Sequence, residues 1–318
     1  MNRIHPKISI IGGGNVGIRY AYALLIKGIA RQIVIVDINK TKLKGEVMDL
    51  NHGIPFVSPS NIIAGNYEDI INSDLVVITA GRKQKVGDSR LDLIQGNLQL
   101  FKEILPEIKQ NAPSAIYLVV TNPVDILSYI TYKLTNKPAN EVIGSGTVLD
   151  SARFRYLLST YCDIDARNIH GYILGEHGDS EFAVWSKVMI GGLPIEKFLA
   201  SCDYSINRNP QEDLNQILLD VRESAYEIIR TKGETSYGIG LSLLRITEAI
   251  LNNENSILPV SCLIDGFLGI KDVYLSLPAV LNKKGIKKIL ELDLNDQEKT
   301  AFRHSANTLQ TIIQQLNL

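Results

Sequence analysis

Three consecutive glycines, Gly12-Gly13-Gly14, join a short apolar run, Lys7 to Ile11, to a helix-patterned segment that opens near Asn15. With Gly17 they spell Gly-x-Gly-x-x-Gly, and the next apolar run ends at Asp37, about twenty residues past Gly17. A glycine turn alone would suit any tight strand-to-helix connection. The strand before it, the helix after it and the acid at that distance together select a Rossmann-type dinucleotide turn. Its glycines allow the sharp bend and let a pyrophosphate reach the backbone N–H groups at the helix start. Gly12, Gly14, Val16 and Gly17 are therefore expected at the cofactor. Asp37 would accept hydrogen bonds from the adenosine ribose hydroxyls and repel a 2′-phosphate, which favours NAD over NADP.

The rest of the first half fits that turn. Ile33 to Val36, Leu75 to Thr79, Ile116 to Val120 and Val142 to Ile143 are continuous apolar runs separated by helix-patterned stretches. Strands buried on both faces read this way, so the expectation is an α/β, doubly wound parallel sheet covered by helices. The runs end in Gly12-Gly13-Gly14, Asp37, Ala80-Gly81, Thr121-Asn122-Pro123 and Gly144-Ser145-Gly146. Ligands bind at the carboxyl ends of parallel strands, so these turns should line one crevice. Residues 1–145 are expected to form the NAD-binding domain.

Residues 146–318 are expected to form an α+β substrate domain. Leu149 to Tyr161 and Pro210 to Leu251 are helical in pattern, while Ile257 to Ile264 and Val273 to Ala279 are β-like. Phe302, Leu309, Ile312, Ile313 and Leu316 recur at helical spacing and are assigned to packing. The dense basic stretch from Lys283 to Lys288 reads as a solvated turn and helix face. A net charge of -1 offers no general attraction to nucleic acid or an anionic membrane, and no apolar run is long enough to span a bilayer. Cys162, Cys202 and Cys262 lie far apart without metal-ligand spacing, so no metal site is expected, and they fit idle thiols in a reducing cytoplasm.

The segment Gly175-Glu176-His177-Gly178-Asp179-Ser180 places a histidine between glycines and carboxylates, downstream of Asp150 and Arg153. A histidine titrates near neutral pH, and a buried carboxylate partner would orient its ring and favour the charged form. Asp150 and Arg153 are three apart, so on a helix they share a face. Together these residues describe a proton-transfer site.

Further motifs follow in order: Gln84-Lys85-Val86-Gly87-Asp88-Ser89-Arg90, Thr121-Asn122-Pro123-Val124-Asp125, Gly144 to Arg153, Gly175 to Ser180, Lys232-Gly233-Glu234-Thr235-Ser236, and Gly269 to Val280 near the end. With them the chain resembles the L-lactate dehydrogenase branch of the lactate/malate dehydrogenase family. The resemblance implies NAD-dependent interconversion of pyruvate and L-lactate, the fermentative end of glycolysis. It makes His177 the acid/base, Asp150 its partner, Arg153 the grip on the substrate carboxylate and Arg90 the group that polarises the carbonyl. It places Asn122 at nicotinamide and substrate, Thr235 against the substrate side chain, and Ile239 behind the nicotinamide ring, with Gly81 and Ser145 in the cofactor turns. It makes Gln84 the selector for pyruvate, since arginine at the matching position pairs with the second carboxylate of oxaloacetate. Gly81 to Gly87 would form a lid, in which Val86 and Arg82 replace the proline and asparagine common among relatives. Arg155 and His170 match the pair that binds fructose 1,6-bisphosphate in allosteric bacterial members, which implies an activated homotetramer. The rival readings are a broader L-2-hydroxyacid dehydrogenase and a noncatalytic NAD-binding protein on the same fold.

Overall fold

The computed structural model describes residues 6–82, 90–201 and 209–316, apart from the side chains of Arg90 and Leu91. The first half runs β1 (Lys7–Ile11), α1 (Asn15–Lys27), β2 (Gln32–Val36), α2 (Lys40–His52), β3 (Asn61–Gly65), β4 (Leu75–Ile78), α3 (Arg90–Asn111), β5 (Ile116–Val119), α4 (Val124–Thr135) and β6 (Val142–Gly144). The strands lie side by side as β3-β2-β1-β4-β5-β6, all parallel. This is the doubly wound sheet of a Rossmann domain. Every residue of β4, β5 and β6 is buried, which is why their sequences carry no alternation. The order reverses between β1 and β4, so the glycine turn after β1 and the Ala80-Gly81 turn after β4 flank one crevice.

The second half adds α5 (Val148–Cys162), β7 (Ile169–His170), β8 (Ile173–Leu174), β9 (Phe182–Ala183), β10 (Met189–Ile190), β11 (Leu193–Pro194), α6 (Ile195–Ser201), α7 (Pro210–Lys232) and α8 (Tyr237–Leu251). It closes with β12 (Ser256–Asp265), β13 (Lys271–Asn282), β14 (Gly285–Ile289) and α9 (Asp296–Gln315). β12 pairs antiparallel with β6, and β13 and β14 follow, so among the described residues the main sheet has nine strands and runs on past residue 145. Antiparallel pairing through Ser261 and Gly144 thus joins the second half of the chain to the parallel sheet of the first.

Three sequence expectations need correction. β3 has no counterpart in the apolar runs, because it is the edge strand and only Ile62 and Gly65 are buried. The stretch from Lys283 to Lys288 is a β-hairpin turn and strand rather than a turn and helix face: its lysines are exposed, while Gly285 and Ile286 face inward. The helical pattern from Pro210 to Leu251 is two helices, broken where Gly233 takes a left-handed conformation at φ 89° that ends α7.

Candidate active site

Asp150 lies in the first turn of α5, and Arg153 stands one turn further on the same face. Arg153 Nη1 donates to Asp150 Oδ1 at 2.8 Å, and Asp150 Oδ2 lies 2.6 Å from Nδ1 of His177. The Asp150 side chain is 3% exposed and that of His177 24%, so the carboxylate is sealed beneath a ring that still reaches the cleft. Asp150 therefore holds two cations at once, one per oxygen.

His177 sits in the turn between β8 and β9, and that turn is fixed from outside. Gly175, at φ 93°, exchanges backbone hydrogen bonds with Ser276 of β13. A Cβ on Gly175 would lie 2.7 Å from Ser305 Oγ, the hydroxyl on α9 that accepts from Glu176 N–H at 2.6 Å. The N–H of His177 donates to Asp125 Oδ2 at 2.8 Å, and Ser261 Oγ donates to Asp125 Oδ1 at 2.5 Å. Asp125 belongs to the first turn of α4, three residues after Asn122, so one buried carboxylate ties the histidine turn to α4 and to β12.

The electrostatics follow from burial and neighbours. Desolvation of the His177 ring works against its charge, but the charge and hydrogen bond of Asp150, backed by Glu181 and Asp125, more than offset this and raise its pKa to about 9. Burial acts most strongly on Asp150 too, yet His177 and Arg153 overcome it and hold the carboxyl below its usual range. Asp125 is pushed up to about 7 by burial, partly countered by Ser261 and the His177 N–H. At neutral pH the pair is an imidazolium on a carboxylate, ready to give a proton from its other ring nitrogen.

The crevice beside it fits a dinucleotide. α1 begins at Asn15 behind Gly14 with no side-chain cap, so its first N–H groups point free into the turn. A Cβ on Gly14 would meet nothing within 4 Å, whereas one on Gly17 would lie 2.1 Å from the carbonyl oxygen of Gly12. The first glycine thus leaves space for a ligand, and the second packs helix against strand. Asp37 accepts from Gly13 N–H and Asn39 N–H, both at 2.7 Å, one to each carboxylate oxygen. Each oxygen keeps a lone pair for a ribose hydroxyl.

Other expected site residues make no hydrogen bond to His177 among the described residues. Asn122 is exposed after β5, and its carbonyl accepts from Asn97 Nδ2 at 3.0 Å. Ser145 is buried, with its N–H on Val119 O at 2.8 Å. Val16 and Ile239 are half-buried against the main core, and Thr235 lies in the connection from α7 to α8. Gly81 is exposed at its turn. Gln84 and the side chain of Arg90 lie outside the described residues, as do 83–89 of the expected lid.

Sequence reasoning passed over Asp125 and Glu181. Asp125 stood inside a quoted motif without a role; its signal was a carboxylate in an otherwise apolar helix start, Val124 to Leu127. Glu181 directly follows the histidine turn, and nothing in its sequence neighbours marks it as buried. A cavity of about 970 Å³ lined by Asn72, Asp74, Asn111 and Asn253 opens at the amino ends of β4 and β5, opposite the crevice. Its lining includes no histidine, so the carboxyl-end turns and His177, not cavity size, locate the chemistry.

Comparison with known proteins agrees with this placement. Residues 6–144 match the family model described as lactate/malate dehydrogenase, NAD binding domain, and residues 147–317 match lactate/malate dehydrogenase, alpha/beta C-terminal domain. The L-lactate dehydrogenase of Thermoanaerobacter pseudethanolicus is 51% identical over 312 residues, covering 98% of this chain and 99% of that one. That of Acetivibrio thermocellus is 50% identical over 317 residues, covering 100% and 99%. Among solved structures, a minor L-lactate dehydrogenase from Enterococcus mundtii in a ligands-bound form superposes with a TM-score of 0.95 at 38% identity, covering 99% of this chain and 100% of that one. A lactate dehydrogenase from a Medee basin deep-sea metagenome library gives 0.94 at 46% identity and covers 98% of each chain.

Proposed function

The chain belongs to the lactate/malate dehydrogenase family, and on that footing we propose that this NAD-dependent dehydrogenase interconverts pyruvate and L-lactate. The observation that carries the reading is the His177–Asp150 contact at 2.6 Å with Arg153 on the second oxygen of Asp150. Bound NADH supplies the hydride. As negative charge grows on the keto oxygen, imidazolium His177 gives it a proton, and Asp150 stabilises the charge and tautomer of the ring throughout. Arg153 retains guanidinium N–H groups beyond the one on Asp150 and binds the substrate carboxylate. Arg90 polarises the carbonyl and Gln84 accepts the methyl end of pyruvate; both roles rest on the resemblance.

Reduction needs charged His177 and oxidation needs the neutral ring. With the His177 pKa raised to about 9, pyruvate reduction should hold through neutral pH and fall as pH climbs past that value, while lactate oxidation rises over the same interval. Initial rates with pyruvate, oxaloacetate and 2-ketoisocaproate across pH test this. Pyruvate should lead at every pH; equal kcat/KM for pyruvate and oxaloacetate would overturn the assignment, and a lead for 2-ketoisocaproate would favour the broader hydroxyacid dehydrogenase.

The same proposal includes activation by fructose 1,6-bisphosphate in a homotetramer. Arg155 lies two residues past Arg153 on α5, about 200° around the helix, and its Nε donates to Ser151 O at 3.2 Å. Half-buried and without a carboxylate partner among the described residues, Arg155 suits a phosphate, and desolvation by burial lowers its pKa. His170 is exposed on β7, the strand beside α5. Assembly is supported by apolar side chains exposed on α1, α2 and α8: Tyr22, Ile26, Met48, Tyr237 and Leu241. Bisphosphate is expected to raise the apparent affinity for pyruvate. Pyruvate saturation with and without bisphosphate, for the parent, Arg155→Ala and His170→Ala, decides it. Identical parent curves, or full activation in both variants, would remove the site.

The proposal takes residues 1–145 as the NAD-binding domain and 146–318 as the substrate domain, with Gln84, Arg90 and Asn122 reaching substrate from the first and Ile239 reaching the nicotinamide from the second, and places the enzyme in the cytoplasm. Cys162 and Cys262 are buried, as idle thiols in a reducing compartment would be, and among the described residues no helix is long and apolar enough to cross a membrane.

A further inference from the structure

Glu181 ends the catalytic turn and leads into β9, and it is only 3% exposed. Around it, Asp125, Asp150, Glu176 and Asp179 all accept hydrogen bonds through their carboxyl groups. The carboxyl of Glu181 accepts none among the described residues and forms no ion pair there. It nevertheless lies in the proton-transfer site, for Asp150, His177 and Glu181 each bring a carboxylate oxygen or ring nitrogen to within 4.8 Å of the others. The guanidinium of Arg222 forms no ion pair with it among the described residues. Arg222 of α7 donates through Nη2 to the main-chain oxygen of Glu181, and Arg222 Nε is buried without a hydrogen-bond partner.

We propose that Glu181 is a third acid/base group of the proton-transfer site, whose ionisation holds the proton on His177. The inference rests on the reading of His177 as the catalytic acid/base. A buried carboxyl without a donor is costly to ionise, so it keeps its proton well above the usual carboxylate range: burial contributes most and the neighbouring Asp150 charge adds, while His177, Arg222 and Arg153 pull the other way. Once Glu181 ionises, its negative charge faces the imidazolium, as those of Asp150 and Asp125 already do. His177 and Glu181 then titrate together, and removing one proton from the site makes the other harder to remove. Glu181 thereby extends the pH range over which the enzyme can donate a proton to substrate. It acts through His177, as a positioning residue for the proton rather than a group on the substrate.

The groups facing this pair are Asp150 and Arg153 from α5, Arg222 from α7 and Asp125 from α4. None of them changes in Glu181→Gln, which keeps the size of the side chain and cannot ionise. An opposite charge at this range moves a histidine pKa by about one to three units, so the His177 midpoint should fall by about one unit or more in Glu181→Gln. Glu181→Asp, which keeps an ionisable group, should lie between the parent and the glutamine variant.

The experiment is an NMR titration of the His177 ring and the Glu181 carboxyl in the substrate-free enzyme, for the parent and both variants, beside the pH profile of kcat/KM for pyruvate reduction. In the parent, the Glu181 carboxyl signal should move over the same pH interval as the His177 ring, well above the usual carboxylate range. The alkaline limb of the rate profile should shift down with the glutamine variant. A His177 midpoint unmoved by Glu181→Gln, or a parent Glu181 signal that titrates in the ordinary carboxylate range, would overturn the proposal. Because the titration is read without substrate, these outcomes stand apart from the substrate assay that tests the proposed function. The parent measurement decides even if a variant fails to fold.

Discussion

Replacing His177 by alanine is expected to abolish nearly all turnover, about a hundred- to ten-thousandfold in kcat, while NADH binds as before. The loss follows from removing the ring that bridges Asp150 and the cleft. The retention of NADH follows from geometry, since the glycine turn and Asp37 lie in the crevice after β1 and β2. The variant should also keep its fold, because alanine retains the N–H that donates to Asp125 Oδ2, and Asp150 retains Arg153. Fluorescence titration with NADH beside steady-state rates makes the check. If cofactor affinity falls together with turnover, the separation of cofactor and proton sites is wrong.

Gln84→Arg is expected to move preference from pyruvate towards oxaloacetate by at least on the order of a hundredfold in the ratio of kcat/KM values. If Gln84 faces the substrate end as proposed, a second substrate carboxylate beside the neutral glutamine would be left unpaired, whereas an arginine would pair it and repay its desolvation. The same arginine, facing the methyl end of pyruvate, is itself left unpaired, so the two rates should move in opposite directions. A ratio that stays put would mean that another residue reads the substrate end. The Glu181 proposal bears on a different variable, since its substitution shifts the pH profile without changing which acid is preferred.

How far the site could be read from sequence depended on whether a residue acts through local spacing. Gly12, Gly17 and Asp37 satisfy requirements set by one turn and its two flanking strands, and the structure places Asp37 on the amide of Gly13. Asp150 and Arg153 share a helix face because they are three apart, and their 2.8 Å contact is a consequence of helical geometry. The parallel strands announced themselves as unbroken apolar runs because helices cover both faces. β3, half-exposed at the edge, lacked that mark.

What sequence spacing leaves open is which distant segments meet. Asp150 and His177 are 27 residues apart, and their partnership comes from packing α5 beside the turn between β8 and β9. Asp125 reaches that turn from 52 residues away, and Ser305 from 129. Burial is also a property of the assembled chain: Asp179 and Glu181 are near neighbours in one polar segment, yet Asp179 bonds the exposed hydroxyl of Tyr226, whereas Glu181 is enclosed beside the imidazole. Local chemistry, written in residue types and short intervals, thus specified the cofactor turn, the helix-borne acid and base, and the parallel sheet. The proton affinities came from the folded chain, because desolvation and charge depend on what surrounds a group through space.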